Sequence, residues 1–153
     1  MKGVLKMAKL YIAYGSNMNL EQMAYRCPTA RVKGVGKIAG WKLTFRGADG
    51  SAVATIEPCK KGEVPVLLWE IEPSDEVALD RYEGYPWLYR KEIIPVIFES
   101  EAIEAMAYIM NEGRPIGTPS RRYYETIRQG YESAGLDEEY LKKACIKAKR
   151  KSR

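Results

Sequence analysis

Glu83 sits in the run Leu79-Asp80-Arg81-Tyr82-Glu83-Gly84-Tyr85-Pro86-Trp87-Leu88-Tyr89-Arg90, which packs acids, bases and large aromatics around one helix end. A carboxylate there faces the negative end of the helix dipole, and aromatic neighbours strip water from it. Both effects raise a carboxyl pKa toward what a base working near neutrality needs. The same residues also fit an exposed glutamate ahead of a helix-terminating glycine. A second candidate is the loop Tyr14-Gly15-Ser16-Asn17, which ends the apolar run Leu10-Tyr11-Ile12-Ala13. A buried strand that feeds a tight turn and then a helix leaves backbone N–H groups free to hold a carboxylate or phosphate. Gly15 lets the backbone approach a ligand without a Cβ in the way. A plain strand–helix connection fits the same four residues. The chain contains no histidine. That removes the commonest general base, the usual zinc ligands and every Ser-His or Cys-His pairing, leaving carboxylate, lysine or tyrosine to move protons. Tyr108 and Tyr123 are further candidates, although core packing accounts for both.

The elements that must position these groups follow from periodicity and turn chemistry. Lys9 to Tyr14 reads as a first strand. Asn19, with Gln22 three residues on, caps a helix carrying Leu20, Met23 and Ala24, which Pro28 stops beyond Cys27. Val32 to Val35 and Trp41 to Phe45 read as two strands separated by glycines. Ala52 to Ile56 and Val64 to Ile71 read as two more. Pro73-Ser74-Asp75 opens a helix capped by Ser74, and Gly84 is available as its left-handed terminator. Lys91 to Phe98 and Ala102 to Met110 form a hairpin, and residues 111–119 a Gly/Pro-rich loop. Tyr123 to Ala134 and Asp137 to about Lys149 are helical. Strands dominate without strand–helix alternation, which argues against a doubly wound parallel sheet.

The 153 residues, 46% hydrophobic and 29% charged, suit one domain with a real core. No run is long and apolar enough for a membrane helix, and Met1 to Lys6 lacks a signal-peptide core. Met7 could be an alternative start. Cys27, Cys59 and Cys145 are odd in number and far apart, which points to a reducing cytoplasm. The net charge is +5, but seven cations and no acid fall within residues 140–153, leaving 18 of the 25 bases against 20 acids. The expected division is a domain over 7–146 and a basic, flexible tail over 147–153. A solvated tail is the simpler account of such a run, so nucleic-acid binding is not expected.

Taken together, Tyr14-Gly15-Ser16-Asn17 after a strand, Leu79-Asp80-x-x-Glu83-Gly84 some sixty residues later, Ala107-Tyr108-Ile109-Met110-Asn111 and the segment from Tyr123 to Leu136 resemble the gamma-glutamylcyclotransferase-like family. The resemblance spans about residues 8–145. It implies an α+β fold, a compact mixed β-barrel-like sheet with flanking helices. It places the family's acid/base glutamate on Glu83. The substrate-binding turn falls on Tyr14, Gly15, Ser16, Asn17 and the Met18 backbone, and accompanying aromatics on Tyr89, Tyr108 and Tyr123. It implies a gamma-glutamyl small molecule as substrate, with no metal, cofactor or membrane. In the implied reaction the α-amine of a gamma-glutamyl group attacks its own γ-carbonyl, forming 5-oxoproline and releasing an amine. One carboxylate can serve both proton transfers, and holding the substrate folded does much of the rest. A non-catalytic domain that binds a small molecule or a partner on the same fold is the alternative. It would have no need of Glu83.

Overall fold

The computed structural model describes residues 8–151. Five strands close into a barrel in the order β1-β3-β2-β4-β5, with β1 as Lys9–Ala13, β2 as Arg31–Arg46, β3 as Val53–Ile71, β4 as Tyr89–Phe98 and β5 as Glu101–Met110. The short β1 is the seam. It pairs antiparallel with the end of β3, Tyr11 opposite Trp69, and parallel with β5, Tyr11 opposite Met106. Ile12, Ile38, Phe45, Ile56, Val66 and Leu68 fill the apolar core. Closure leaves no long unpaired edge and gives a small barrel a filled interior. This is the expected α+β, barrel-like architecture.

Two pairs of expected strands prove to be single long ones. Val32–Val35 and Trp41–Phe45 join in β2, and Ala52–Ile56 and Val64–Ile71 join in β3. The register between them slips between Ala39 and Trp41, where Ala39 faces Glu63 and Trp41 faces Pro58. Of the glycines that separated the two expected strands of β2, Gly40 falls at this irregularity and Gly34 at a second slip after Val32. Pro58, with no N–H to give, is tolerated at the first because it faces a ladder that is already interrupted.

Four helices flank the barrel: α1 Leu20–Arg26, α2 Pro73–Glu83, α3 Arg121–Ala134 and α4 Glu139–Lys151. The Asn19 side chain caps α1 by accepting from the Gln22 amide at 3.0 Å, as its position predicts. For α2 the expected cap, Ser74, is corrected to Glu72. Pro73 occupies the first helical position, where its fixed φ and missing N–H are harmless, so the helix starts two residues earlier than a Ser74 cap would place it. Asp75, only 2% exposed, completes a reciprocal cap by accepting from the Glu72 amide at 2.9 Å. It also accepts from the Thr29 hydroxyl at 2.7 Å, tying α2 to the segment after α1. Gly84 ends α2 at φ 65°, the left-handed conformation that a Cβ disfavours.

The boundary expected after Ile146 falls inside α4, which continues to Lys151 with Ala148 buried. Residues 147–151 of the basic run are thus helical, their cations flanking one small packed alanine. Met1 to Met7, and with them the question of an alternative start, lie outside the described residues, as do Ser152 and Arg153. Among the described residues no helix is long and apolar enough to cross a membrane.

Candidate active site

At one end of β1 the chain leaves the barrel through Tyr14 and Gly15 and makes a single 3-10 turn, Ser16–Met18. The Met18 amide donates to the Gly15 carbonyl and the Asn19 amide to Ser16, both at 3.0 Å. The amides of Ser16 and Asn17, in the first turn, have no acceptor among the described residues. The turn is held from three sides. The Trp69 indole donates to the Asn17 carbonyl at 3.1 Å. The Asn17 side-chain amide donates to the Tyr11 hydroxyl at 2.9 Å, and its carbonyl accepts from Arg26. Helix α3 lies directly on the turn at Gly130. A Cβ there would come within 2.8 Å of Met18 backbone and side-chain carbons. A side chain at Gly15 is limited by closeness, with Ala54 Cβ 3.3 Å from where its own Cβ would lie.

Glu83, at the last turn of α2, meets this loop across a cavity lined by Tyr11, Tyr14 to Asn17, Ala54, Glu83, Tyr89, Tyr108 and Tyr123. Sequence separation is overcome because the barrel closes: β1 supplies the loop, β3 runs beside it, and α2 returns from the end of β3. The expected residues Tyr14, Gly15, Ser16, Asn17, Glu83, Tyr89, Tyr108 and Tyr123 are therefore brought together. Met18 is not among the lining residues: its amide is spent on Gly15 and its side chain is fully buried. Asn17 lines the cavity, yet both ends of its side chain are engaged in holding the loop.

Glu83 is partly buried, and no hydrogen bond ties its carboxyl among the described residues. Loss of solvent pushes its pKa up to about 7, against a smaller downward pull from Arg26. Burial holds the five lining phenols well above their usual range, and the Glu83 charge adds to that at Tyr11 and Tyr14. These tyrosines stay protonated near neutral pH and act through hydrogen bonds. Glu83 is the lining group poised to exchange a proton there.

Each phenol has a defined partner. Tyr14 donates to the Tyr108 carbonyl at 2.5 Å, Tyr89 to the Ala54 carbonyl at 2.6 Å, and Tyr108 to the Asp80 carboxylate at 2.5 Å. Tyr123 accepts from the Ala54 amide at 3.0 Å. Ser16 and Tyr82 share a hydrogen bond of 2.8 Å across the rim, and the Arg26 guanidinium stacks 3.4 Å from the Tyr82 ring centroid.

Sequence reasoning missed Tyr11, Arg26 and Ala54. The hydroxyl of Tyr11 is a visible signal in an otherwise apolar strand, since a buried phenol must find a partner. Ala54 contributes backbone and leaves no trace in its residue type.

A sequence profile described as "Gamma-glutamyl cyclotransferase, AIG2-like" matches residues 11–131. The gamma-glutamylcyclotransferase of Bos taurus is 31% identical over 143 residues, covering 88% of this chain and 76% of the relative. That of Homo sapiens is 31% identical over 145 residues with the same coverage. A solved structure described as "Gamma-glutamyl cyclotransferase" superposes with a TM-score of 0.81 at 28% identity, covering 90% of this chain and 86% of its own. With a profile match over most of the chain and relatives at this identity, the protein belongs to the gamma-glutamylcyclotransferase family.

Proposed function

We propose that the protein releases 5-oxoproline and a free amine from a gamma-glutamyl compound, with Glu83 as the acid/base. Its family makes it an enzyme of the gamma-glutamylcyclotransferase type. The observation that carries the assignment of Glu83 is a carboxyl with a pKa of about 7 in a cavity whose other titratable groups are neutral phenols. The substrate's α-amine arrives as an ammonium and cannot attack until it loses a proton. Glu83, ionised, takes that proton. The amine then adds to the γ-carbonyl of the same molecule, closing a five-membered ring. As the tetrahedral intermediate collapses, the C–N bond to the leaving amine breaks and Glu83 returns the proton to that nitrogen. No protein nucleophile is required. The free amides of Ser16 and Asn17 suit the substrate carboxylate or the developing oxyanion. The cavity walls hold both reacting groups of one molecule close together, which supplies much of the rate. Three free cysteines, Cys27 among them buried, suit a reducing cytoplasm as the working compartment.

The direct test is incubation with a panel of gamma-glutamyl amino acids, peptides and amines, reading out 5-oxoproline; no release from any member would remove the proposal. A pH profile tests the base. Because the ionised carboxylate does the work, kcat/KM should rise about tenfold per pH unit on the acid side and level off above an apparent pKa near 7. A flat profile between about pH 5.5 and 8.5 would assign the proton transfer elsewhere.

A further inference from the structure

The phenols that line the cavity differ in which way their single proton points, and this polarity is set by groups behind them. A backbone carbonyl or a carboxylate can only accept. Tyr14, Tyr89 and Tyr108, each bonded to such an acceptor, have spent their protons within the protein and keep only lone pairs to offer a ligand in the cavity they line. Tyr11 and Tyr123 each accept from an N–H, so each keeps its own proton to donate. Of these five settings, four are made by backbone or by the loop's own Asn17. Tyr108 alone depends on a charged side chain, Asp80, one helical turn before Glu83.

We propose that Asp80 is a positioning residue that fixes Tyr108 as a hydrogen-bond acceptor for the α-ammonium of the substrate. This rests on the gamma-glutamyl reading above. The head of a gamma-glutamyl group carries one cation that only donates and one carboxylate that only accepts. The acceptor oxygens of Tyr14, Tyr89 and Tyr108, with Glu83, match the ammonium. The O–H groups of Tyr11 and Tyr123 and the loop amides match the carboxylate. The two ends of the head group thus have distinct seats, and the amine is held against the base that must deprotonate it.

Asp80 itself is anchored. Lys91 approaches it at 2.8 Å and Glu76 at 2.6 Å, and lies 4.3 Å from the Tyr85 ring centroid; Lys9 adds a second cation on Glu76 at 3.0 Å. This chain of ion pairs ties α2 to β4 and β1. It keeps the carboxylate aimed at Tyr108, whose side chain is almost wholly buried, 1% exposed. The Asp80 oxygen that accepts from Tyr108 is also the one nearest Lys91. An asparagine could present its carbonyl oxygen at that place and preserve the polarity.

The test compares two ligands: the gamma-glutamyl compound turned over fastest in the panel, and the same compound with glutaryl in place of gamma-glutamyl. The second keeps the carboxylate and the amide but lacks the α-amine, so it binds without reacting. For Tyr108→Phe and Asp80→Ala, kcat/KM for the first should fall roughly 10- to 100-fold, the scale of a hydrogen bond to a charged group. The inhibition constant of the second should change less than about threefold. Asp80→Asn should stay within about fivefold of wild type on both. Thermal unfolding confirms that each variant folds, and Tyr108→Phe leaves the ion pairs of Asp80 in place should Asp80→Ala fail to fold. Equal weakening of both ligands would reduce Asp80 to a structural staple, and no effect on either would make it idle; each overturns the inference while leaving the cyclotransferase reading intact. A wild-type protein that turns over no panel member overturns that reading and this inference together.

Discussion

Glu83→Gln is expected to lower 5-oxoproline release ~10²–10⁴-fold, toward the upper end of that range. Gln keeps the size of the side chain and can still hydrogen-bond. It cannot take the ammonium proton, so the attacking amine stays blocked, and the chain has no histidine to stand in. Asp80, one turn back, is occupied by Tyr108 and Lys91. Binding of a gamma-glutamyl compound, followed by calorimetry, should survive. Stability should move the other way, with a defined pH dependence. The folded pKa of Glu83 is raised to about 7 from an ordinary 4.5, so the folded state favours the neutral form. Its contribution to stability is fully present below about pH 4.5 and is lost as pH rises through 7. Above that point the wild type carries a poorly solvated charge that Gln lacks. The variant should therefore be more stable by ~1–3 kcal/mol at pH 8 and no more stable at pH 4. Near-normal turnover would assign the base to another group. Equal stabilities at pH 8 would mean that Glu83 is solvated.

Gly130→Ala should damage both stability and turnover, although Ala is the better helix former by about 1 kcal/mol. In an exposed helix the substitution would help. Here the new Cβ would sit 2.8 Å from the Met18 carbonyl carbon and 3.0 Å from the Asn19 nitrogen, backbone atoms that cannot swing aside. Either α3 lifts or the turn Ser16–Met18 moves. Overpacking of this kind costs ~1–3 kcal/mol. A shift of the turn carries the Ser16 and Asn17 amides with it, and a misplacement near 1 Å costs on the order of 10²-fold in rate. Melting temperature and kcat/KM measured together should both fall. A variant with a higher melting temperature and full activity would show that α3 does not seat the loop.

Where a local rule is set by a few neighbouring residues, the amino-acid sequence was a sufficient guide. Asn19 and Gly84 cap their helices as their positions predict, and β4 and β5 pair as one hairpin. The hairpin is short-range, so its register is set by its own turn. The reading of glycines as a break failed in β2, and the two strands expected in β3 also run on as one, because pairing over sixteen and nineteen residues outweighs local breaks and confines them to irregularities. Ser74 lost the cap of α2 to Glu72 for a local reason, the proline between them.

The same division runs through the site. Glu83 and the loop Tyr14-Gly15-Ser16-Asn17 were each legible as residue types at an element's end, and their kinship with one family was legible in their spacing. Their meeting was not, because it requires β1 to pair with the distant end of β3, from which α2 returns with Glu83. The raised pKa of Glu83 depends on that meeting, since solvent is excluded only once the loop and five phenols surround it. The roles of Asn17, Met18 and Asp80 depend on it equally. Residue type states what a side chain can donate or accept. Only the packed structure decides which of those bonds are already spent inside the protein and which remain for a substrate.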